Sequence, residues 1–201
     1  MAAAQEAQFN PPNYDDPMVI RILDAAEQCL RRYGIRRMSM GEVARVGKLS
    51  RGSIYRHFAD KEALVEGVFA RLQQAFLNRT EALLEKQPTL VDKLTESVVH
   101  GRKDLKEGVF ASLAETEPET VAMMFLDPRF YQRSVAFWPP HIELAKRQGE
   151  IGPELDTALA TDFIMRFAVT LVIFPDLGQP LQSKRAIKAY LKRVITQGLG
   201  A

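Results

Sequence analysis

The sequence predicts an all-α protein, and three observations lead to this fold class. Apolar residues recur every three or four positions along most of the chain, which is the spacing of one face of an α-helix. Residues that start and end helices, chiefly serine, aspartate, glycine and proline, separate these stretches. No segment alternates apolar and polar residues for long enough to predict a strand. We therefore expect a small N-terminal three-helix domain followed by a larger helical domain.

The first helix is expected to begin at Asp16-Pro17 and to end at Gly34. Aspartate is a favourable N-cap, and proline fits the first helical position. Five side chains then form one apolar stripe: Val19, Leu23, Ala26, Leu30 and Tyr33. A glycine after the last member of such a stripe is a common helix end.

Two shorter helices follow, joined by a tight turn. Ser39 and Glu42 have the spacing of a capping box, in which each side chain pairs with the other residue's free amide, so the second helix starts there. Gly47-Lys48-Leu49 turns the chain, and Ser50 can cap a third helix that runs to about Phe58. Two short helices packed on a preceding one are the layout of a helix-turn-helix that reads DNA.

Seven further helices are predicted beyond this unit. Their expected ranges are 61–86, 89–101, 103–115, 118–125, 128–148, 156–174 and 183–198. We accordingly divide the chain into a flexible arm (1–16), a helix-turn-helix domain (17–62) and a helical domain for effector binding and dimerisation (63–201).

The composition is that of an ordinary globular protein. Hydrophobic residues make up 46% of the 201 residues and charged residues 26%, values near the averages for folded domains. The first ten residues lack the basic start and apolar core of a secretory signal, and the longest apolar stretch, 163–174, is shorter than the ~20 residues that cross a bilayer. We expect a cytoplasmic protein without a membrane partner.

Positive charge is concentrated around the helix-turn-helix. From Arg31 to Lys61 there are nine basic and two acidic residues, whereas the whole chain has a net charge of only +2. A basic pole on an otherwise acidic chain favours a polyanionic partner such as DNA, because phosphate neutralisation supplies the sequence-independent part of DNA affinity. The alternative is a solvated charge run, which we prefer for Arg31, Arg32, Arg36 and Arg37.

The third helix separates a buried face from a polar one. Ile54 and Phe58 lie four residues apart and share the face that must be buried. The other side presents side chains that suit base edges and phosphates: Arg51, Ser53, Tyr55 and Arg56. Gly52, which has no side chain, allows close approach to the DNA backbone. His57 could contact DNA or could be a half-buried ring with one hydrogen bond.

The residues from Ile20 to Phe69 closely resemble the DNA-binding domain of the TetR family of transcriptional regulators. The resemblance is carried by Ser39-Met40-Gly41-Glu42-Val43-Ala44 and by the run from Ser50 to Leu64, in which Ser-Arg-Gly-Ser-Ile-Tyr-Arg-His-Phe is followed by Lys-Glu-Ala-Leu at the family spacing. It implies a homodimeric regulator, most simply a repressor, bound to a pseudo-palindromic operator.

The resemblance also assigns roles to single residues. It implies phosphate contacts from Ser39, Tyr55, His57 and Lys61, and positions at or near base edges for Arg51, Gly52, Ser53 and Arg56. Ser50 belongs to the same surface as the cap of the third helix. The chain departs from the family at Lys48, where glycine is common, so either the turn is re-formed or Lys48 adopts a left-handed backbone at a cost of roughly 1 kcal/mol. A lysine there could reach a phosphate.

The C-terminal half resembles the same family through Phe137-Trp138-Pro139-Pro140 and the residues that follow it. There the last two helices usually form a dimer interface, which places Phe163, Leu171, Ile187, Leu191 and Val194 between the two copies. An internal core helix would show the same apolar pattern. The large, soft side chains of this half are candidates for the lining of a pocket for an apolar or amphipathic effector, although such clusters are more often core. The candidates are Phe110, Met123, Met124, Phe125, Phe130, Phe137, Trp138 and Phe167.

No catalytic or cofactor motif stands out against this interpretation. We find no Gly-x-Ser-x-Gly, phosphate loop or His-Glu-x-x-His, and the three histidines (57, 100 and 141) lack metal-ligand spacing. We expect neither an enzyme nor a bound cofactor or metal. The alternative function is a ligand-binding helical protein that has lost specific DNA binding.

Overall fold

The computed structural model describes residues 12–174, 178 and 180–198. Residues 196–198 are described by their backbone only. The predicted arm lies largely outside the described residues. Within the described ranges the chain forms helices and no strand, which confirms the all-α prediction. The helices are α1 (Pro17–Arg37), α2 (Met40–Gly47), α3 (Arg51–Tyr55), α4 (Lys61–Leu84), α5 (Leu90–Asp104), α6 (Gly108–Thr116), α7 (Pro118–Phe125), α8 (Pro128–Val135), α9 (Pro139–Arg147), α10 (Thr157–Ile173) and α11 (Lys184–Gly198).

The helices group into two compact units. Unit 1 contains the described residues up to Gln74 together with Ala111–Val121, and unit 2 contains Ala75–Phe110 and the described residues from Ala122 onwards. This division differs from the predicted boundary between residues 62 and 63. The first part of α4 belongs to unit 1, where its Leu64 and Val68 are fully buried.

The first helix of unit 1 starts and breaks where the sequence predicts. The Asp16 carboxylate accepts a hydrogen bond from the Met18 amide, and Pro17 occupies the first helical position. At Gly34 the backbone leaves the helical conformation (φ 73°, ψ 176°), and a short helical run continues to Arg37. The apolar stripe that includes Val19, Leu23 and Leu30 is buried.

One long predicted helix is divided in two. Residues 128–148 form α8 and α9, separated at Ala136, Phe137 and Trp138. Pro139 and Pro140 cannot donate main-chain hydrogen bonds to a preceding turn, so a helix from 128 cannot continue through them. The two prolines instead begin α9.

Unit 2 has its own apolar core. Its fully buried side chains include Leu90 of α5, Ile142 of α9, and Ile187 and Leu191 of α11. Ion pairs from α11 to α5, Lys184 with Glu96 and Lys188 with Asp92, accompany this packing at the surface. No helix among the described residues is both long enough and apolar enough to span a membrane.

Candidate nucleic-acid interface

Serine side chains cap both helices of the helix-turn-helix. The Ser39 hydroxyl accepts from the Glu42 amide at 3.2 Å, and the Ser50 hydroxyl accepts from the Ser53 amide at 3.0 Å. The Glu42 carboxylate accepts from the Arg45 guanidinium, at 2.8 and 3.0 Å. The serine half of the predicted capping box is therefore confirmed, while the glutamate pairs along its own helix with Arg45.

The turn between α2 and α3 places a lysine in the left-handed region. Lys48 has φ 51° and ψ 48°, and its amide closes the end of α2 on the Ala44 and Arg45 carbonyls. Gly47 cannot be replaced freely, because a Cβ there would lie 3.0 Å from the Ala25 Cβ. The chain thus uses its glycine for close packing against α1, and the left-handed conformation falls on the next residue.

An arginine of α1 holds this turn, and the sequence analysis did not identify it. The Arg21 side chain donates from Nε to the Gly47 carbonyl at 3.0 Å and from Nη2 to the Lys48 carbonyl at 3.1 Å. These carbonyls lie at the C-terminal end of α2, where a positive charge is also favourable for the helix dipole. No local sequence pattern marks the contact, because Arg21 lies 26 residues from the turn.

The third helix ends at Tyr55, three residues before its predicted end, but the segment 51–58 has the two faces that its sequence predicts. Ile54 is fully buried and Phe58 is 3% exposed. Gly67 of α4 makes room for Phe58, since a Cβ at 67 would lie 2.8 Å from the phenylalanine ring. The opposite face is open to solvent, and Tyr55 is 51% exposed although it is aromatic.

Most of the predicted DNA-contacting residues lie on or beside this open face. Exposed members are Ser39, Lys48, Ser50, Arg51, Gly52, Tyr55, Arg56 and His57, while Ser53 and Lys61 are half-buried. Hydrogen bonds link the N-cap of α3 to its C-cap through the side chains of Ser50, Ser53 and Arg56. The Lys61 ammonium donates to the Arg36 carbonyl at 3.3 Å. The exposure of His57 agrees with a surface role and not with a half-buried ring.

The arginine cluster at the end of α1 is partly neutralised. Arg31 pairs with Glu27 at 2.7 Å, Arg36 pairs with Glu119, and the Arg32 guanidinium lies 5.3 Å from the centre of the Tyr33 ring. Charges held in such pairs contribute less to a polyanion field than free ones. The contacts support the interpretation of this cluster as a solvated charge run.

A capped two-helix motif with a polar, basic and exposed second helix defines a helix-turn-helix DNA-binding protein. Residues 22–68 match the family model described as "Bacterial regulatory proteins, tetR family". The N-terminal domain is therefore a TetR-family DNA-binding domain, and the chain is a DNA-binding transcriptional regulator.

Similarity to known proteins extends over most of the chain. The "HTH-type transcriptional regulator UidR" of Escherichia coli strain K12 is 24% identical, and the match covers 90% of this chain and 94% of UidR. The fold is similar to that of the TetR-family repressor AlkX from Dietzia sp. (TM-score 0.65, 16% identity, 89% and 95% covered). It is also similar to that of FadR from Bacillus subtilis in complex with stearoyl-CoA (TM-score 0.58, 18% identity, 90% and 98% covered).

The eight predicted effector-lining residues have different environments in unit 2. Trp138 is 3% exposed and packs against Phe137 in the core, whereas Met123 is 65% exposed. Between these extremes, Phe125 and Phe130 are half-buried with ring centres 5.0 Å apart. The other half-buried members are Phe110, Met124, Phe137 and Phe167. The structure does not gather the eight around one described cavity.

An apolar groove lies instead between α5, α10 and α11 of unit 2. Its walls are Leu94, Val98, Phe163, Ile164, Phe167, Ala168, Leu171, Leu191, Val194 and Ile195. Four of the five predicted dimer residues line it, and Phe167 is the single effector candidate among its walls. Ile187, the fifth dimer residue, is 1% exposed within the core of unit 2. Leu171 and Leu191 are also largely covered, at 6% and 2% exposed, while Phe163 is 42% exposed.

Proposed function

We propose that this regulator is a repressor that binds a pseudo-palindromic operator as a homodimer in the cytoplasm and leaves it when a small apolar or amphipathic effector binds. The observation that carries the DNA-binding part is the α3 surface. Ile54 and Phe58 fix the helix from below, so Arg51, Tyr55 and Arg56 stay exposed to solvent. We assign base-edge positions to Arg51, Gly52, Ser53 and Arg56, and phosphate contacts to Ser39, Lys48, Tyr55, His57 and Lys61.

The exposed apolar surface of α10 supports a second copy of the chain as partner. Leu159 and Phe163 of α10 and its C-cap residue Phe174 are 64%, 42% and 56% exposed, and Phe163 lines the groove between α5, α10 and α11. Leu159, Phe163 and Val194 are the residues we place in direct contact with the partner, because Ile187 is covered by its own chain. Two copies would present two recognition helices, which suits half-sites on one face of the DNA.

The effector proposal concerns unit 2. FadR from Bacillus subtilis, which has a similar fold, forms a complex with stearoyl-CoA, a ligand that joins a long apolar tail to a polar head. We propose a ligand of this amphipathic kind, contacted by the half-buried side chains of Met124, Phe125 and Phe130. Such a ligand releases DNA only if it binds better to the conformation that does not fit the operator. A thermal-shift screen with acyl-CoA thioesters and alkanes tests this, since a ligand that prefers the folded state raises the melting temperature.

The experiment that tests the function is selection of bound sequences from a random double-stranded DNA library by the purified protein at near-physiological salt. Enrichment of one inverted repeat is the expected result, because a homodimer contacts two related half-sites. Enrichment of a single half-site would contradict the homodimer. Weak, salt-sensitive binding without enrichment would favour the second candidate, a ligand-binding protein that has lost specific DNA binding.

A further inference from the structure

The segment from Ala111 to Val121 belongs to unit 1 although it follows unit 2 residues in the chain. It contains the end of α6 and the start of α7, and it packs on the C-terminal end of α1 through Glu117. We propose that Glu117 is a positioning residue for operator binding, which acts by fixing the main chain at Arg36 and, through it, the ammonium group of Lys61. This inference rests on the proposed function.

Glu117 is a buried carboxylate with specific partners. Its residue is only 5% exposed, and Oε1 accepts a hydrogen bond from the Arg36 amide at 3.0 Å. The other oxygen, Oε2, accepts from the Thr120 hydroxyl at 3.3 Å. A buried charge is costly unless it is hydrogen-bonded, so these contacts fix where the carboxylate sits.

The break in α1 is what admits the carboxylate. Gly34 has φ 73° and ψ 176°, a conformation that is essentially limited to glycine. A Cβ at this position would lie 2.3 Å from Glu117 Oε1. The Arg36 amide becomes available to Glu117 because the helix is interrupted two residues earlier. Gly34 and Glu117 therefore form one complementary pair.

Two further contacts hold the same segment against α1. The Ser112 hydroxyl donates to the Arg31 carbonyl at 2.8 Å, and the Arg36 guanidinium pairs with Glu119 at the surface. Arg36 is thus held at its amide by Glu117 and at its side chain by Glu119.

The held residue connects directly to a residue assigned to DNA. The Arg36 carbonyl accepts from the Lys61 ammonium at 3.3 Å. Three residues after Arg36 comes Ser39, the N-cap of α2 and an assigned phosphate contact. The covalent neighbours of the segment, Phe110 and Ala122, both belong to unit 2. A change in α6 or α7 would therefore act on the phosphate-contacting residues through Glu117.

The sign of the effect distinguishes positioning from plain electrostatics. Loss of an acidic charge near the DNA-binding surface should by itself strengthen binding to a polyanion. If Glu117 positions Lys61, its loss should weaken binding instead, and the dependence on salt should become shallower because one phosphate contact is lost.

The experiment uses full-length Glu117→Ala, with Glu117→Gln as the conservative variant and Glu115→Ala as the control. Glu115 is an exposed glutamate two residues away in α6. Affinity is measured on the inverted repeat recovered by selection, between 50 and 300 mM salt, values chosen because phosphate contacts respond strongly over about this range. Amide hydrogen exchange of residues 34–40 is measured on the same proteins without DNA.

We expect Glu117→Ala to weaken operator binding about tenfold and to reduce the slope of log affinity against log salt by about one. Exchange at residues 34–40 should increase. Glu117→Gln keeps an oxygen that can accept from the Arg36 amide and should stay within about threefold of the wild type. Combined with Lys61→Met, Glu117→Ala should cost little more than Lys61→Met alone, because both act on one contact.

Two results would overturn the inference in different ways. Glu117→Ala with the affinity and salt slope of Glu115→Ala would show that Glu117 is structural only. Unchanged exchange at residues 34–40 would show that the contact between Glu117 and the Arg36 amide does not fix the main chain between α1 and α2. A wild-type protein that binds no duplex would contradict the proposed function itself. The exchange measurement, which is made without DNA, would still test the contact between Glu117 and Arg36.

Discussion

The α3 surface of unit 1 and the α10 surface of unit 2 are both exposed, and their chemistry is opposite. On α3 the exposed residues are basic or hydroxyl-bearing, with Arg51, Tyr55 and Arg56 above a buried Ile54. On α10 exposed leucine and phenylalanine residues stand above a largely buried face. Contacts of the first kind weaken as salt rises, whereas apolar burial responds little to moderate salt. The two surfaces therefore suit different partners, which we have proposed to be DNA and a second copy of the chain.

Because the two surfaces differ in chemistry, DNA binding and association with a second copy can be tested separately. Phe163 stacks on Phe167 with ring centres 5.9 Å apart, and Phe167 stacks on Tyr190 at 5.7 Å. These rings belong to unit 2 and lie far along the chain from the two capping serines of the helix-turn-helix and from Arg51 of α3. A substitution on one surface should weaken binding of the corresponding partner and leave the fold of the other unit intact.

The largest effect is expected from Phe163→Arg. In a twofold interface each copy contributes the same surface, so the substitution places two desolvated charges of like sign at one contact. The dimer should weaken about a thousandfold, and operator affinity should fall at least about a hundredfold because two half-sites are no longer bound together. Analytical ultracentrifugation and operator titration measure the two losses.

Gln132→Arg is the matched control for this substitution. It adds the same charge at an exposed position of α8, and it should leave both dimer and operator affinity unchanged. A Phe163→Arg protein that remains dimeric would place the interface elsewhere in unit 2.

On the DNA side, Arg51→Ala should have the next largest effect. A bidentate arginine contributes about 1–3 kcal/mol of base discrimination, which corresponds to roughly a tenfold to hundredfold loss on the operator. Binding to random-sequence DNA should fall much less, so base preference relaxes. Arg31→Ala removes the same charge from the pair with Glu27 and serves as the control. Equal losses from both variants on operator and random DNA would contradict a base contact at Arg51.

Gly52→Ala should separate stability from binding on the same helix. A Cβ at 52 would have only the Ser50 hydroxyl nearby, at 3.9 Å, so the protein itself does not require glycine there. Alanine is favoured over glycine in a helix by up to about 1 kcal/mol, and we expect a small gain in stability together with about a tenfold loss of operator affinity. Thermal unfolding and operator titration check the two signs.

Gly67→Ala provides the contrasting glycine. Its Cβ would lie 2.8 Å from the ring of the buried Phe58, so this variant should be destabilised despite the helix propensity of alanine. Full operator affinity in Gly52→Ala would contradict the prediction that DNA approaches closely at residue 52.

The helix-turn-helix could be predicted from sequence because its determinants are local. Serine caps at 39 and 50 and a four-residue apolar spacing on α3 fix the elements within a few residues of one another. Arg21 and Glu117 could not be predicted in the same way, since each acts on main-chain groups 26 or more residues away. In unit 2 the difficulty is different, because large apolar residues have the same helical spacing whether they fill a core, line a groove or face a partner.

Substitutions of Lys48, in the left-handed turn, should have smaller effects on stability and on DNA binding. In Lys48→Gly the φ of 51° would no longer be strained, although a more flexible unfolded chain offsets part of the gain, so stability should rise by less than about 1 kcal/mol. If Lys48 also contacts a phosphate, the slope of log affinity against log salt should decrease by about one. Lys48→Asn removes the charge with a residue that tolerates this conformation, and it should show the same change in slope. An unchanged slope in both would exclude a phosphate contact at 48.

The smallest effect should appear in unit 2 as a dependence of stability on pH. Burial lowers the pKa of His100, whose ring stacks on Phe76 at 4.9 Å and whose buried Nε2 has no hydrogen-bond partner in the described part of the chain. The unfolded chain therefore binds a proton more readily than the folded one. The contribution of His100 to stability is complete above its ordinary pKa, about 6.5, and decreases as the pH falls towards the lowered folded pKa. His100→Phe keeps a ring against Phe76 and should reduce this loss between pH 7.5 and 5.5 in denaturant unfolding, values chosen to bracket the ordinary histidine pKa of about 6.5. The same slope in wild type and variant would assign the pH dependence to other groups.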